Sequence, residues 1–69
     1  MKTFVFAIVG RNRTFPDQIW VDSLMASGSS KLIAQKRAEK EFTQKYPGCE
    51  IKGRASMDIT DFISEDYRE

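Results

Sequence analysis

Three stretches of this chain carry the apolar spacing of strands, and one carries the spacing of a helix. From Cys49 to Ile59, Cys49, Ile51, Gly53, Ala55, Met57 and Ile59 fall on one side of a period-2 pattern, and Glu50, Lys52, Arg54, Ser56 and Asp58 on the other. Such alternation predicts a strand with one face on a core and one in water. Lys2 to Val9 is apolar on both sides, with Phe4, Phe6 and Ile8 opposite Val5, Ala7 and Val9. A strand with two apolar faces belongs at the centre of a sheet or beneath a partner. Ile19 to Leu24 predicts a further strand, with Ile19 and Val21 opposite Trp20, Asp22 and Leu24.

Between the second and third strands, Ser29 to Tyr46 is helical in pattern. Ala34, Ala38, Phe42 and Tyr46 share one arc, which should lie on the sheet. The alanines let the helix approach the strands closely, and the two aromatic rings fill the far end. Lys36, Arg37, Lys40 and Gln44 project the other way, with Ile33 among them. Ser29 or Ser30 is the expected N-cap, and Pro47-Gly48 ends the helix. After the third strand, Thr60 caps a short final helix, or Asp61 to Glu69 forms a frayed tail.

The order β-β-α-β fixes a topology. The first two strands form an antiparallel hairpin across the Gly10–Asp17 connection. A helical crossover returns the third strand parallel to the second, most comfortably beside the first. The expected fold is therefore α+β: a three-stranded antiparallel sheet of order 2-1-3, with one helix packed on one face. The domain should span 1–60, followed by an acidic tail or short helix over 61–69.

At 69 residues there is room for one domain and one modest core. Chains of this size bury only about 60% of their unfolded surface, so they often need a further source of stability. A disulfide within the chain is excluded because Cys49 is the only cysteine, and with no histidine a zinc site lacks ligands. Self-association is the remaining route. No apolar run is long enough to span a bilayer. Phe4 to Val9 is short, and Gly10 is followed by Arg11 and Arg13 rather than a small-residue cleavage site, so it reads as a strand and not a leader. The expected location is the cytoplasm.

Charge is uneven along the chain. Residues 1–57 carry +5 and residues 58–69 carry −4, for a net +1. A basic body with an acidic tail binds anions, shields itself or pairs with another copy.

Catalytic readings lack parts. There is no histidine to act as base or proton shuttle. Cys49 sits on an apolar face without a histidine partner, and no nucleophile-elbow or phosphate-loop motif surrounds any serine or threonine. Asp58 and Asp61 read as a helix-capping pair. The expectation is a protein that is not an enzyme, with no cofactor and no metal.

Two constellations point to binding. Lys31, Lys36, Arg37, Lys40 and Lys45 make the helix basic, softened by Glu39 and Glu41. Ile33 among those charges favours a protein contact over a phosphate backbone. The loop Arg11-Asn12-Arg13-Thr14-Phe15-Pro16 sets an aromatic ring between arginines and a proline. Arginines make bidentate contacts to carboxylate or phosphate, and aromatic residues are common interface anchors. Either Phe15 is displayed, or it tucks under the sheet edge. Trp20 reads as a core residue.

The segment Gly28-Ser29-Ser30-Lys31-Leu32-Ile33-Ala34-Gln35-Lys36-Arg37-Ala38 resembles the start of the last helix of double-stranded-RNA-binding domains. That resemblance implies that Lys31, Lys36 and Arg37 grip phosphates across a groove. The whole β-β-α-β layout, with its Ser-rich approach to an Ala-spaced helix and its Tyr-Pro-Gly exit, is similar to small phage-encoded proteins of the anti-CRISPR and host-takeover type. It implies a protein that occupies a partner's surface. The expected function is a small non-enzymatic binding protein that modulates or inhibits a host protein or nucleoprotein complex by masking. Arg11, Arg13, Phe15, Ile33, Lys36, Arg37 and Lys40 are the candidate contact residues. The alternative is a nucleic-acid-binding module using the same basic groups, and a third is a homo-oligomer pairing acidic tail with basic helix.

Overall fold

The computed structural model describes residues 1–66, with side chains through Ile63. Three strands, β1 (Lys2–Asn12), β2 (Ile19–Gly28) and β3 (Cys49–Asp58), form one sheet of order β2-β1-β3, with β1 antiparallel to both neighbours. Helix α1 (Lys31–Lys45) joins β2 to β3, and a short α2 (Thr60–Asp66) follows β3. Of the expected acidic tail, residues 67–69 lie outside the described residues, and the part before them is helical.

α1 lies across β1 and β2. Ala34, Ala38 and Phe42 are buried on its inner arc and meet Phe4, Phe6, Ile8 and Cys49 in a single core. Trp20, Leu24, Ala26, Tyr46 and Ile51 close its rim. Each fully buried side chain of this size contributes about 1.5–3 kcal/mol, so Phe6, Ile8 and Phe42 dominate the hydrophobic stabilisation. Trp20 stacks on Tyr46 with ring centroids 5.3 Å apart, and Tyr46 packs on Phe42 at 4.9 Å, which continues the core to the C-terminal end of α1.

The ends of α1 follow from local chemistry. Ser30, not Ser29, is the N-cap: its backbone is extended and its side chain accepts from the Ile33 N–H at 3.4 Å. At the other end the Tyr46 N–H donates to the Phe42 carbonyl, Pro47 stops propagation, and Gly48 takes φ 81°, where a side chain is strained. Asp58 starts α2, accepting from both the Thr60 N–H (2.9 Å) and the Thr60 hydroxyl (2.6 Å). These bonds hold the Asp58 carboxyl below its ordinary range. The start of α2 is tied to β1, since the Thr3 N–H donates to Thr60 Oγ1 at 2.9 Å and the Ile59 N–H to the Thr3 carbonyl.

The third strand departs from its expected facing. Val9 pairs with Gly53, but Gly10 pairs with Ile51, so Lys52 is an extra residue at a β-bulge. The bulge resets the alternation. Cys49 and Ile51 face α1, whereas Gly53, Ala55 and Met57 face the other side of the sheet, opposite Val9, Ala7 and Val5. Arg54, Ser56 and Asp58 therefore share the helix side. The ion pair from Arg54 Nε to Glu39 of α1, at 3.0 Å, follows from that placement.

The face away from α1 is consequently apolar and uncovered among the described residues. The register arranges it in rows: Met25, Val5 and Met57; then Ser23, Ala7 and Ala55; then Val21, Val9 and Gly53. Val21 is 66% exposed, Met25 61% and Met57 59%.

Candidate functional site

The loop between β1 and β2 is built around one side chain. The Asn12 Oδ1 accepts from the Thr14 N–H (2.9 Å) and the Phe15 N–H (3.2 Å), while its Nδ2 donates to Gln18 Oε1 (2.8 Å). The Gln18 N–H closes the turn onto the Phe15 carbonyl, and the Arg13 N–H reaches across to the Gly48 carbonyl. Asparagine suits this position because its side chain mimics a backbone turn. The result is a tied loop that holds Phe15 outward at 60% exposure rather than tucked under the sheet edge.

Basic groups gather at this end. Arg11 lies opposite Glu50 in the β1–β3 register, and the Lys52 ammonium bonds Glu50 Oε1 at 2.9 Å. Glu50 is held below its ordinary value, first by the Lys52 hydrogen bond and further by the nearby charges of Lys52, Arg13 and Arg11. Three cations around one carboxylate leave positive charge in excess beside the exposed ring. Lys52 and Glu50 were not among the sequence candidates, because only the bulge brings them beside Arg11.

The helix candidates stand apart from the loop. Strand β1 separates the Arg11–Ile19 pair from the Lys2–Gly28 pair, a distance of about 30 Å at strand rise. Ile33 and Arg37 belong to the far end. Ile33 is 39% exposed and packs over Gly28, and the Arg37 guanidinium donates to the Ser27 carbonyl at 2.7 Å. Both therefore help to seat α1 on the end of β2. Lys36 and Lys40 are exposed one turn apart on the outer side of the helix, and neither joins an ion pair among the described residues. Lys45 is engaged with Asp22, which also accepts from the Tyr46 hydroxyl at 3.2 Å. The seven candidates thus fall into two groups, Arg11, Arg13 and Phe15 at one end and Ile33, Lys36, Arg37 and Lys40 along the helix.

A shallow depression of about 200 Å³ lies on the uncovered sheet face between Val5, Ala7, Ala55, Ser56 and Met57. That is below the range that encloses a typical small ligand. Among the described residues no three His, Cys, Asp or Glu side chains come together, and no helix is long and apolar enough to cross a membrane. Cys49 is buried. No known protein family, curated protein or solved structure matches this chain.

Proposed function

We propose that this chain is a small non-enzymatic binding protein that modulates a host protein or nucleoprotein complex by covering part of its surface, in the manner of phage-encoded host-takeover factors acting in the cytoplasm. The observation that carries the reading is the display of Phe15 by the Asn12-centred loop, beside Arg11 and Arg13. A large apolar side chain held in water by several hydrogen bonds is costly to leave unused. Because the loop is already ordered, little conformational entropy is lost on binding. The ring supplies desolvated contact area, and the arginines meet carboxylates at the rim.

Affinity capture from a host lysate, split into nuclease-treated and untreated halves, tests it. A stoichiometric protein retained after nuclease, and lost with Phe15→Ala plus Arg13→Ala in a folded variant, supports the reading. Retention by that double variant rejects the loop as the contact.

Exposed Lys36 and Lys40, one turn apart and in no ion pair among the described residues, favour a second reading in which α1 tracks a nucleic-acid backbone. Its signature is a steep fall of affinity with rising salt, reduced by Lys36→Ala and Lys40→Ala. A protein contact centred on Phe15 is much less sensitive to salt.

A further inference from the structure

We infer that the segment held by the Phe15 loop is an acidic peptide, whose carboxylate takes the place of Glu50 beside Lys52 and Arg11 while an apolar neighbour packs on Phe15. This rests on the binding role proposed for the loop and names the chemistry of its partner. Glu50 shows what the cluster accepts. Its Oε1 receives the Lys52 ammonium at 2.9 Å, and Arg11 stands directly across from it on β1. Arg13 is near enough to add to the positive field on the same carboxyl. Neither guanidinium joins an ion pair among the described residues, so both keep planar sets of donors suited to a second carboxylate.

Glu50 is also easy to displace. Its side chain is 51% exposed and that of Lys52 46%, and an ion pair so open to water is held only weakly. The bulge brings the pair here, since Lys52 is the surplus residue of β3 and bulges re-aim side chains. An incoming carboxylate keeps the cations paired and returns Glu50 to solvent. The chain therefore carries its own competitor, and a neutral partner cannot exchange with it, which makes Glu50 a filter for acidic ones.

The neighbours decide which acid-bearing molecule fits. Phe15 is 60% exposed and Ile19, paired with Arg11 on β2, is 56% exposed, so apolar side chains flank the cations. Asp17 lies in the same loop, which sets Arg11, Arg13 and Lys52 against two acids. A phosphate chain would run into Glu50 and Asp17, and the exposed Lys36 and Lys40 lie on the outer side of α1, away from the cluster. A peptide in which carboxylates alternate with apolar residues meets both halves of the surface.

NMR titration of the full chain with three probes is the test: a short synthetic peptide with Glu on both sides of Leu, the same peptide with Gln for Glu, and a short oligothymidylate. The acidic peptide should shift the amides of Arg11, Arg13, Phe15 and Lys52, and should bind about tenfold or more tightly than its Gln counterpart. The Glu50 carboxyl signal should move with them as it leaves Lys52. Glu50→Gln should tighten the acidic peptide by about threefold. Glu41→Gln removes an exposed acid from α1 and changes the net charge equally, yet should leave the affinity unchanged. No shift at these residues with millimolar acidic peptide, or equal binding of the Gln peptide, overturns the inference. Equal effects of the two Glu variants overturn it as well, since general charge then suffices. Tighter binding of oligothymidylate at the same residues overturns it in favour of nucleic acid. In each case lysate capture that still needs Phe15 keeps the loop as a contact surface, whereas capture indifferent to Phe15 rejects the loop reading itself.

Discussion

A Cβ placed on Gly10 would stand 2.7 Å from Cε2 of Phe42, closer than two carbons approach in native packing. Gly10 is therefore the point where α1 comes down onto the central strand, and the fully buried Phe42 ring fills the space a side chain would take. Gly10→Ala should cost about 1–3 kcal/mol by overpacking. Phe42→Ala, which empties the same space, should cost about 3–5 kcal/mol, enough to unfold much of a domain this small. Urea titration of the two variants checks both values. A Gly10→Ala chain as stable as the native one would falsify the close approach.

The bulge makes a prediction that the plain alternation does not. Because Lys52 is the surplus residue, deleting it joins Ile51 directly to Gly53 and leaves every other β3 side chain on its present face. The deletion should fold, keep its Glu39–Arg54 contact, and melt within a few degrees of the native chain. In an unbulged strand the same deletion would turn residues 53–58 over and expose the core edge. Amide spectra of the deletion variant separate the two cases.

Acid should destabilise the protein through three carboxylates. Asp22, Glu50 and Asp58 are each depressed in the folded state, chiefly by hydrogen bonds from Lys45, Lys52 and Thr60 respectively. Their unfolded forms bind protons first as pH falls, so stability present near neutrality is lost progressively below about pH 4.5. Lys45 is raised, mainly by its bond to Asp22, so its contribution is complete below about pH 10 and is lost above it. Melting temperature against pH should show a plateau between these limits. Asp22→Asn should flatten both flanks, and added salt should shrink the effect because these groups face water.

Loop order can be read separately from partner binding. Asn12→Ala removes the acceptor of the Thr14 and Phe15 amides, so those two amides should exchange with solvent faster while β1 and β2 remain protected. Partner affinity should fall even though no proposed contact residue has changed. Equal affinity with a loosened loop would show that display of Phe15 does not depend on its anchoring.

The strand order, the helix bounds and the inner arc of α1 were legible because each rests on local patterning: two apolar faces on β1, alanines four apart, and Pro47-Gly48 at the exit. The facing of β3 was not. Gly53, Ala55 and Met57 continue the alternation of Cys49 and Ile51 without a break, and neither Lys52 nor Gly53 announces an extra residue. Only pairing with β1 exposes it. The same hidden bulge concealed the apolar sheet face, although half the signal was present: Val5, Ala7 and Val9 under a single helix had to face something. The two candidate groups separated for a related reason. Sequence lists residues without the length of β1 that stands between them.

The position of β1 also bears on how the chain acquires its structure. The β1–β2 hairpin and α1 close over short connections, but β1 completes its second ladder only with residues 49–58, across an intervening hairpin arm and helix. During synthesis that ladder is the last to form, and the Glu39–Arg54 link waits for it. Until then the chain presents one vacant row of backbone donors and acceptors alongside Phe4, Phe6 and Ile8, a window in which misassociation competes with folding.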